Sequence, residues 1–233
     1  MTWAQAPGAP MWFVAVVALL GAVVGRLLAT RLATAGYRLD DEAGRPLPFA
    51  PGLLVPLTGL VWAVLGWRFG TVAHGTVLAA YLTFATVGMA LLWVDVDVHR
   101  LPTGLTRPAL PVLAVQLTLA SAASGDGAAL VRAVAGAVAL WLLHLALALL
   151  AALLRSGFGR GDVSLAGLVG LMTGYLAWWG PVVATYAAFL LGGAWAGGRV
   201  LLRRAGRRDA VAFGPWLLVG AAVALLVEVR PLL

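Results

Sequence analysis

The chain has no cysteine and no lysine among its 233 residues, and only 11% of its positions are charged. Without cysteine there is no disulfide, no thiolate zinc site and no cysteine nucleophile, and the redox compartment leaves no mark. Without lysine, the net charge of +7 rests on arginine alone. The arginines are scattered at the ends of apolar runs rather than interleaved with aromatics, so no nucleic-acid partner is expected. Soluble domains average about 25% charged residues. Here 62% of residues are hydrophobic and the mean hydropathy is +0.98. Composition alone makes this an integral membrane protein.

A helix needs roughly 20 apolar residues to cross the hydrocarbon core, so eight crossings use about 160 residues. Apolar runs bounded by Pro and Gly predict all-α spans near 11–30, 51–67, 72–93, 108–124, 128–154, 163–180, 181–200 and 211–227. That leaves short loops and one membrane domain over residues 1–233. The first run lacks a basic flank and a small-residue exit, so a retained helix is expected rather than a signal peptide. Thirteen of the sixteen arginines fall on one side if the N-terminus is outside; only Arg68, Arg132 and Arg230 fall on the other. The asymmetry predicts an N-out, C-out topology. The cluster Arg203, Arg204, Arg207 and Arg208 belongs to the inner face, beside anionic lipid.

Two acids stand out against this background. Asp95 lies at the edge of the third span, in Trp93–Pro102, and Asp162 at the start of the sixth, in Gly157–Val163. Acids beside a bilayer are costly to desolvate, and Gly or Pro shapes both segments. Spans four and five return the chain to the same side, so the two acids share the cytoplasmic face in this topology. Paired carboxylates suit hydrolysis: one ionised to take a proton from water, one protonated to donate to a carbonyl oxygen. Two held close divide the roles themselves, because repulsion raises one apparent pKa and leaves the other low.

Each acid has a plainer reading taken singly. Asp162 suits a helix N-cap, and Asp95 suits a solvated acid at the membrane edge. Asp97 reads as a solvated neighbour of Asp95, and His99 as facing water or headgroups. His144, inside the fifth span, reads as a neutral histidine bonded to a nearby carbonyl. Gly170–Gly174 and Gly193–Gly197 are small-xxx-small faces suited to close helix packing.

With these residues in place, the chain resembles the type IV prepilin peptidases, membrane aspartyl proteases of GxGD type. Asp95 to Pro102 followed by Thr106 resembles their D-x6-P-x3-T element. Gly159-Arg160-Gly161-Asp162 resembles the GxGD motif. Ala212-Phe213-Gly214-Pro215-Trp216-Leu217 resembles the segment opening their last helix, and Pro56 to Gly70 the segment after their cytoplasmic loop. The likeness covers about 51–227. It implies an endopeptidase that removes the basic leader from prepilin or pseudopilin precursors, just before an apolar helix, at the cytoplasmic face of the inner membrane. Asp95 and Asp162 match its catalytic positions, and Gly159, Gly161 and Pro102 would shape the loops around substrate. Proteolysis needs no cofactor; S-adenosylmethionine enters only if the family's N-methyltransferase activity is retained. The loop that carries a tetracysteine zinc site in many members is short here, about 31–50, and has no cysteine. Thr103, Ser164 and Ala212 depart from the family pattern. The alternatives are an inactive relative acting as a membrane scaffold, or a small proton-coupled transporter using the acids and His144.

Overall fold

The computed structural model describes residues 9–42, 44–71, 75–153, 160–202 and 213–227. Within them the chain forms eight α-helices and no strand. Five helical stretches, at Met11–Ala33, Pro51–Phe69, Gly75–Val98, Gly127–Leu153 and Gly180–Arg199, are long and apolar enough to cross a bilayer. Two shorter apolar helices lie at Gly161–Leu176 and Gly214–Leu226. The all-α, multi-pass expectation holds. The chain forms two compact units, one from residues 1–98 and 108–126, the other from 99–107 and 127–233.

The first unit contains α1 (Met11–Ala33), α2 (Leu54–Phe69), α3 (Gly75–Val98) and most of α4 (Thr103–Ser124). Helices α1 and α2 pack as an antiparallel pair on small residues: Gly21 faces Trp62, Gly25 faces Val55, and Gly66 faces Val17. A Cβ on Gly21 would lie 2.6 Å from Trp62 Cβ, so no larger residue fits that register. Helix α3 is the most buried of the three apolar spans in this unit. Its apolar window is 56% buried, against 22% for α1 and 33% for α2. Phe69 stacks on Tyr81 with ring centroids 4.5 Å apart. Trp62 Nε1 donates to Thr86 (3.3 Å), and Gln116 Nε2 on α4 donates to Thr83 (3.0 Å).

The second unit contains α5 (Gly127–Leu153), α6 (Arg160–Leu176), α7 (Gly180–Leu201) and α8 (Gly214–Leu226). Every residue of α6 from Leu165 to Tyr175 is buried. Its glycines explain how: Gly170 lies against Gly136 of α5, and a Cβ on Gly174 would sit 2.7 Å from the Arg132 carbonyl. The Gly170–Gly174 face is therefore a packing seam, whereas Cβ atoms on Gly193 and Gly197 would meet nothing within 4 Å among the described residues. His144 is fully buried, with Nδ1 2.9 Å from the Leu140 carbonyl and its ring beside Phe189 and Phe213. A carbonyl accepts only, so Nδ1 carries the proton in that bond.

Two boundaries differ from the sequence expectation by five residues. Helix α3 continues five residues past the predicted end at 93, through Asp95 and Asp97. Helix α4 begins at Thr103 rather than 108 and carries Pro108 and Pro111 inside it. The Pro102 carbonyl accepts from Leu105 (3.0 Å) and Thr106 (3.4 Å), closing the first turn well before either proline. The basic cluster Arg203, Arg204, Arg207 and Arg208 lies outside the described residues.

Candidate active site

Asp95 sits in the last turn of α3 with 3% of its surface exposed. It belongs to a helix, not to a loop. The turn around it is held from outside by the segment that joins α1 to α2. Tyr37 stands between Trp93 and Asp97, which lie four apart and so on one face of the helix. Trp93 Nε1 donates to the Tyr37 hydroxyl (3.0 Å), and that hydroxyl donates to Asp97 Oδ2 (2.6 Å). Arg38 takes both oxygens of the same carboxylate, Nε to Oδ2 at 2.8 Å and Nη2 to Oδ1 at 2.7 Å. The fork geometry is the bidentate one in which arginine outperforms lysine. Arg38 also donates to the carbonyls of Arg45 and Pro46, tying the connecting segment to itself.

This corrects the reading of Asp97 as a solvated acid: its side chain is 6% exposed and fully engaged with Arg38 and Tyr37. Burial, and then the Asp97 carboxylate, raise the Tyr37 pKa above its ordinary value. The Asp97 bond likewise raises that of Arg38. The phenol therefore keeps its proton as donor and the guanidinium keeps its charge. Apolar side chains surround the clamp: Ala29, Leu32, Leu54, Trp93 and Val94 are buried together, with Tyr37, Leu47 and Val98 against them. His99, just past α3, is exposed and has φ of 51°, a left-handed turn out of the helix.

Asp162 is a half-buried residue in the first turn of α6. Arg160 and Gly161 are already helical, so Asp162 lies inside the helix and not at its N-cap. A negative charge there interacts favourably with the positive end of the helix dipole. Gly161 is pressed by the segment ahead of α4: a Cβ would lie 2.5 Å from Leu101 Cβ and 2.9 Å from the Leu101 carbonyl oxygen. Thus Leu101, six residues after Asp95 in the chain, packs on the residue preceding Asp162. Pro102 is half-buried beside it, and Thr106 is buried in the first turn of α4. Gly159 lies outside the described residues.

Sequence reasoning brought forward both aspartates, Gly161 and Pro102. It missed Tyr37, Arg38 and Leu101. A legible signal existed for the first pair, since Trp93 and Asp97 have the spacing of a single helical face. Leu101 left no signal, because a leucine at a membrane edge has no distinguishing chemistry.

The molecule is thus a multi-pass helical membrane protein in which helices α3 and α6 each carry an aspartate near one end. The chain belongs to the type IV leader peptidase family, whose profile matches residues 81–197. That range contains both motifs, Asp95–Thr106 and Gly159–Asp162, but not the segment at 212–217. The prepilin leader peptidase/N-methyltransferase of Aeromonas salmonicida is 34% identical over 171 residues, 73% of this chain and 55% of that protein. The protein of the same name from Aeromonas hydrophila is 34% identical over 174 residues, covering 73% and 57%. That from Dickeya chrysanthemi is 31% identical over 180 residues, covering 76% and 59%. The chain spans little more than half the length of these curated relatives. No solved structure matches it.

Proposed function

We propose that the protein is an aspartyl endopeptidase that removes the basic leader from prepilin-like precursors at the cytoplasmic face of the inner membrane. The observation that carries this reading is where the family's two motifs fall. Each sets one aspartate near an end of a helix, α3 or α6, with no second acid on α6. Asp95 and Asp162 share one water: the ionised carboxylate takes its proton as it attacks the scissile carbonyl, and the protonated one donates to the developing oxyanion. The carboxyl that took the water's proton then passes it to the amine nitrogen as the C–N bond breaks, while the other carboxylate reclaims a proton from the gem-diol hydroxyl, so the pair is again singly protonated. Their apparent pKa values belong to the dyad, not to either residue.

The positive-inside count supports eight crossings, N-out and C-out, with both acids inside. The substrate would be a pilin or pseudopilin precursor whose apolar N-terminal helix lies in the bilayer while its leader reaches the dyad. Gly161 and Pro102 would shape the approach. Gly161 also has a packing role, because Leu101 fills the space a side chain would need. The N-methyltransferase named for the relatives would need S-adenosylmethionine; a tetracysteine zinc site is impossible in a chain without cysteine.

The test is co-expression with a prepilin, read as a mobility shift on a gel. Asp95→Asn and Asp162→Asn should each leave the precursor full length while inserting normally. Processing by both variants at the wild-type rate would defeat the assignment.

A further inference from the structure

We infer that the Tyr37–Arg38 clamp on Asp97 is a positioning device for Asp95: it fixes the last turn of α3 so that this acid is held in its working place. The inference rests on the peptidase reading above. It starts from a physical problem. Helix ends fray, because the last carbonyls have no partner within the helix. The last turns of α3 carry two acids, Asp95 and Asp97. An acid that must align with a second carboxylate within a fraction of an ångström cannot sit on a fraying turn.

The geometry answers the problem from one side of the helix. Trp93 and Asp97 flank Asp95, two residues away in either direction, and at about 100° per residue both lie nearly opposite it on the helix. Tyr37 bridges the pair with bonds of 3.0 and 2.6 Å, and Arg38 grips both Asp97 oxygens. The connecting segment is gripped in turn through the Arg45 and Pro46 carbonyls. Among the described residues it holds only short 3-10 turns at Asp40–Glu42 and Pro51–Leu53, so regular structure contributes little to its order. In a chain with no thiolates, polar bonds and the apolar contacts of Tyr37 and Leu47 do that work. The back face of the turn is thereby anchored. Asp97, Arg38 and Tyr37 touch no reacting atom.

The test uses the full chain in lipid nanodiscs with a purified prepilin, measuring kcat and KM separately. Asp97→Asn and Arg38→Ala should each lower kcat by about 10²-fold, the scale of a misplaced catalytic group. KM should stay within about twofold, because leader binding is not what the clamp supplies. The double variant should be no worse than either single one, as for two members of one contact. Tyr37→Phe keeps the ring and its packing, and should cost kcat about 3- to 10-fold, the worth of a hydrogen bond. Asp97→Glu restores the carboxylate and should recover at least tenfold over Asp97→Asn. A nitroxide on Asp40→Cys, the sole thiol in that protein, should report a more mobile connecting segment in Asp97→Asn and guards against global unfolding.

Full kcat in Asp97→Asn, a loss confined to KM, or additive losses in the double variant would each overturn the inference and leave the peptidase reading standing. A wild-type chain that cleaves nothing, or an Asp95→Asn variant that cleaves normally, would overturn the peptidase reading and the inference with it.

Discussion

At the end of α3 and at the start of α6 the protein holds an aspartate by opposite means. Around Asp95 the support is polar: a guanidinium fork, a phenol and an indole, arranged on the back of one helical turn. Near Asp162 the contacts that stand out are steric. Gly161 admits the Leu101 backbone, and Gly170 and Gly174 let α5 close on the helix behind it. The difference follows from what each end can reach. The end of α3 emerges beside a connecting segment rich in polar groups, whereas α6 packs closely on its neighbours through its glycines. Polar bonds tolerate a lost partner in proportion to one bond. Close backbone packing tolerates no added atom.

The comparison can be broken in stages. The largest effect belongs to the acids themselves. Asp95→Asn or Asp162→Asn should lower cleavage by at least about 10²-fold, the contribution of a general acid or base, with thermal stability little changed. Next come the steric supports. Gly170→Leu would drive a side chain into Gly136, and Gly161→Ala would bring a Cβ to 2.9 Å from the Leu101 carbonyl oxygen. Overpacking of this kind costs about 1–3 kcal/mol, so thermal unfolding in detergent should show Gly170→Leu at or above the upper figure and Gly161→Ala below it. Smaller again is Trp93→Phe, which removes one donor to the Tyr37 hydroxyl. It should cost about 1 kcal/mol, and an equal or larger loss than Gly161→Ala would reverse the contrast drawn here. At the bottom is Gly197→Ala on α7, where an added Cβ meets nothing within 4 Å among the described residues. It should not destabilise, and helix propensity should favour it by up to about 1 kcal/mol.

Much of this architecture could be read before any coordinates. Hydropathy alone located eight helices, because lipid-facing and buried positions are both apolar and the runs between Pro and Gly are long. The errors fall where local chemistry overrides hydropathy. Helix α3 outlasts its apolar run where Tyr37 and Arg38 bond the side chains of its last turns, and a residue 59 positions away is invisible to a local pattern. Helix α4 starts before two prolines because its first turn closes on the Pro102 carbonyl, so the missing amides fall where the helix is already established. The two small-xxx-small faces look alike in sequence, yet only Gly170–Gly174 meets a partner helix among the described residues. Which glycine face finds a neighbour depends on helix placement, which composition does not encode. Asp97 was misread for the same reason as α3: its partners are remote in the chain.

The account depends on α3 and α6 delivering their acids to one place, and the absence of native cysteine makes this directly measurable. In Asp95→Cys/Asp162→Cys the only two thiols replace the two carboxyls. A short bis-methanethiosulfonate, which forms a disulfide with each thiol and releases sulfinate, should link them within the molecule, and cutting the chain between α4 and α5 should then leave the halves joined. Halves that separate, with both thiols labelling freely from opposite sides of the membrane, would contradict it.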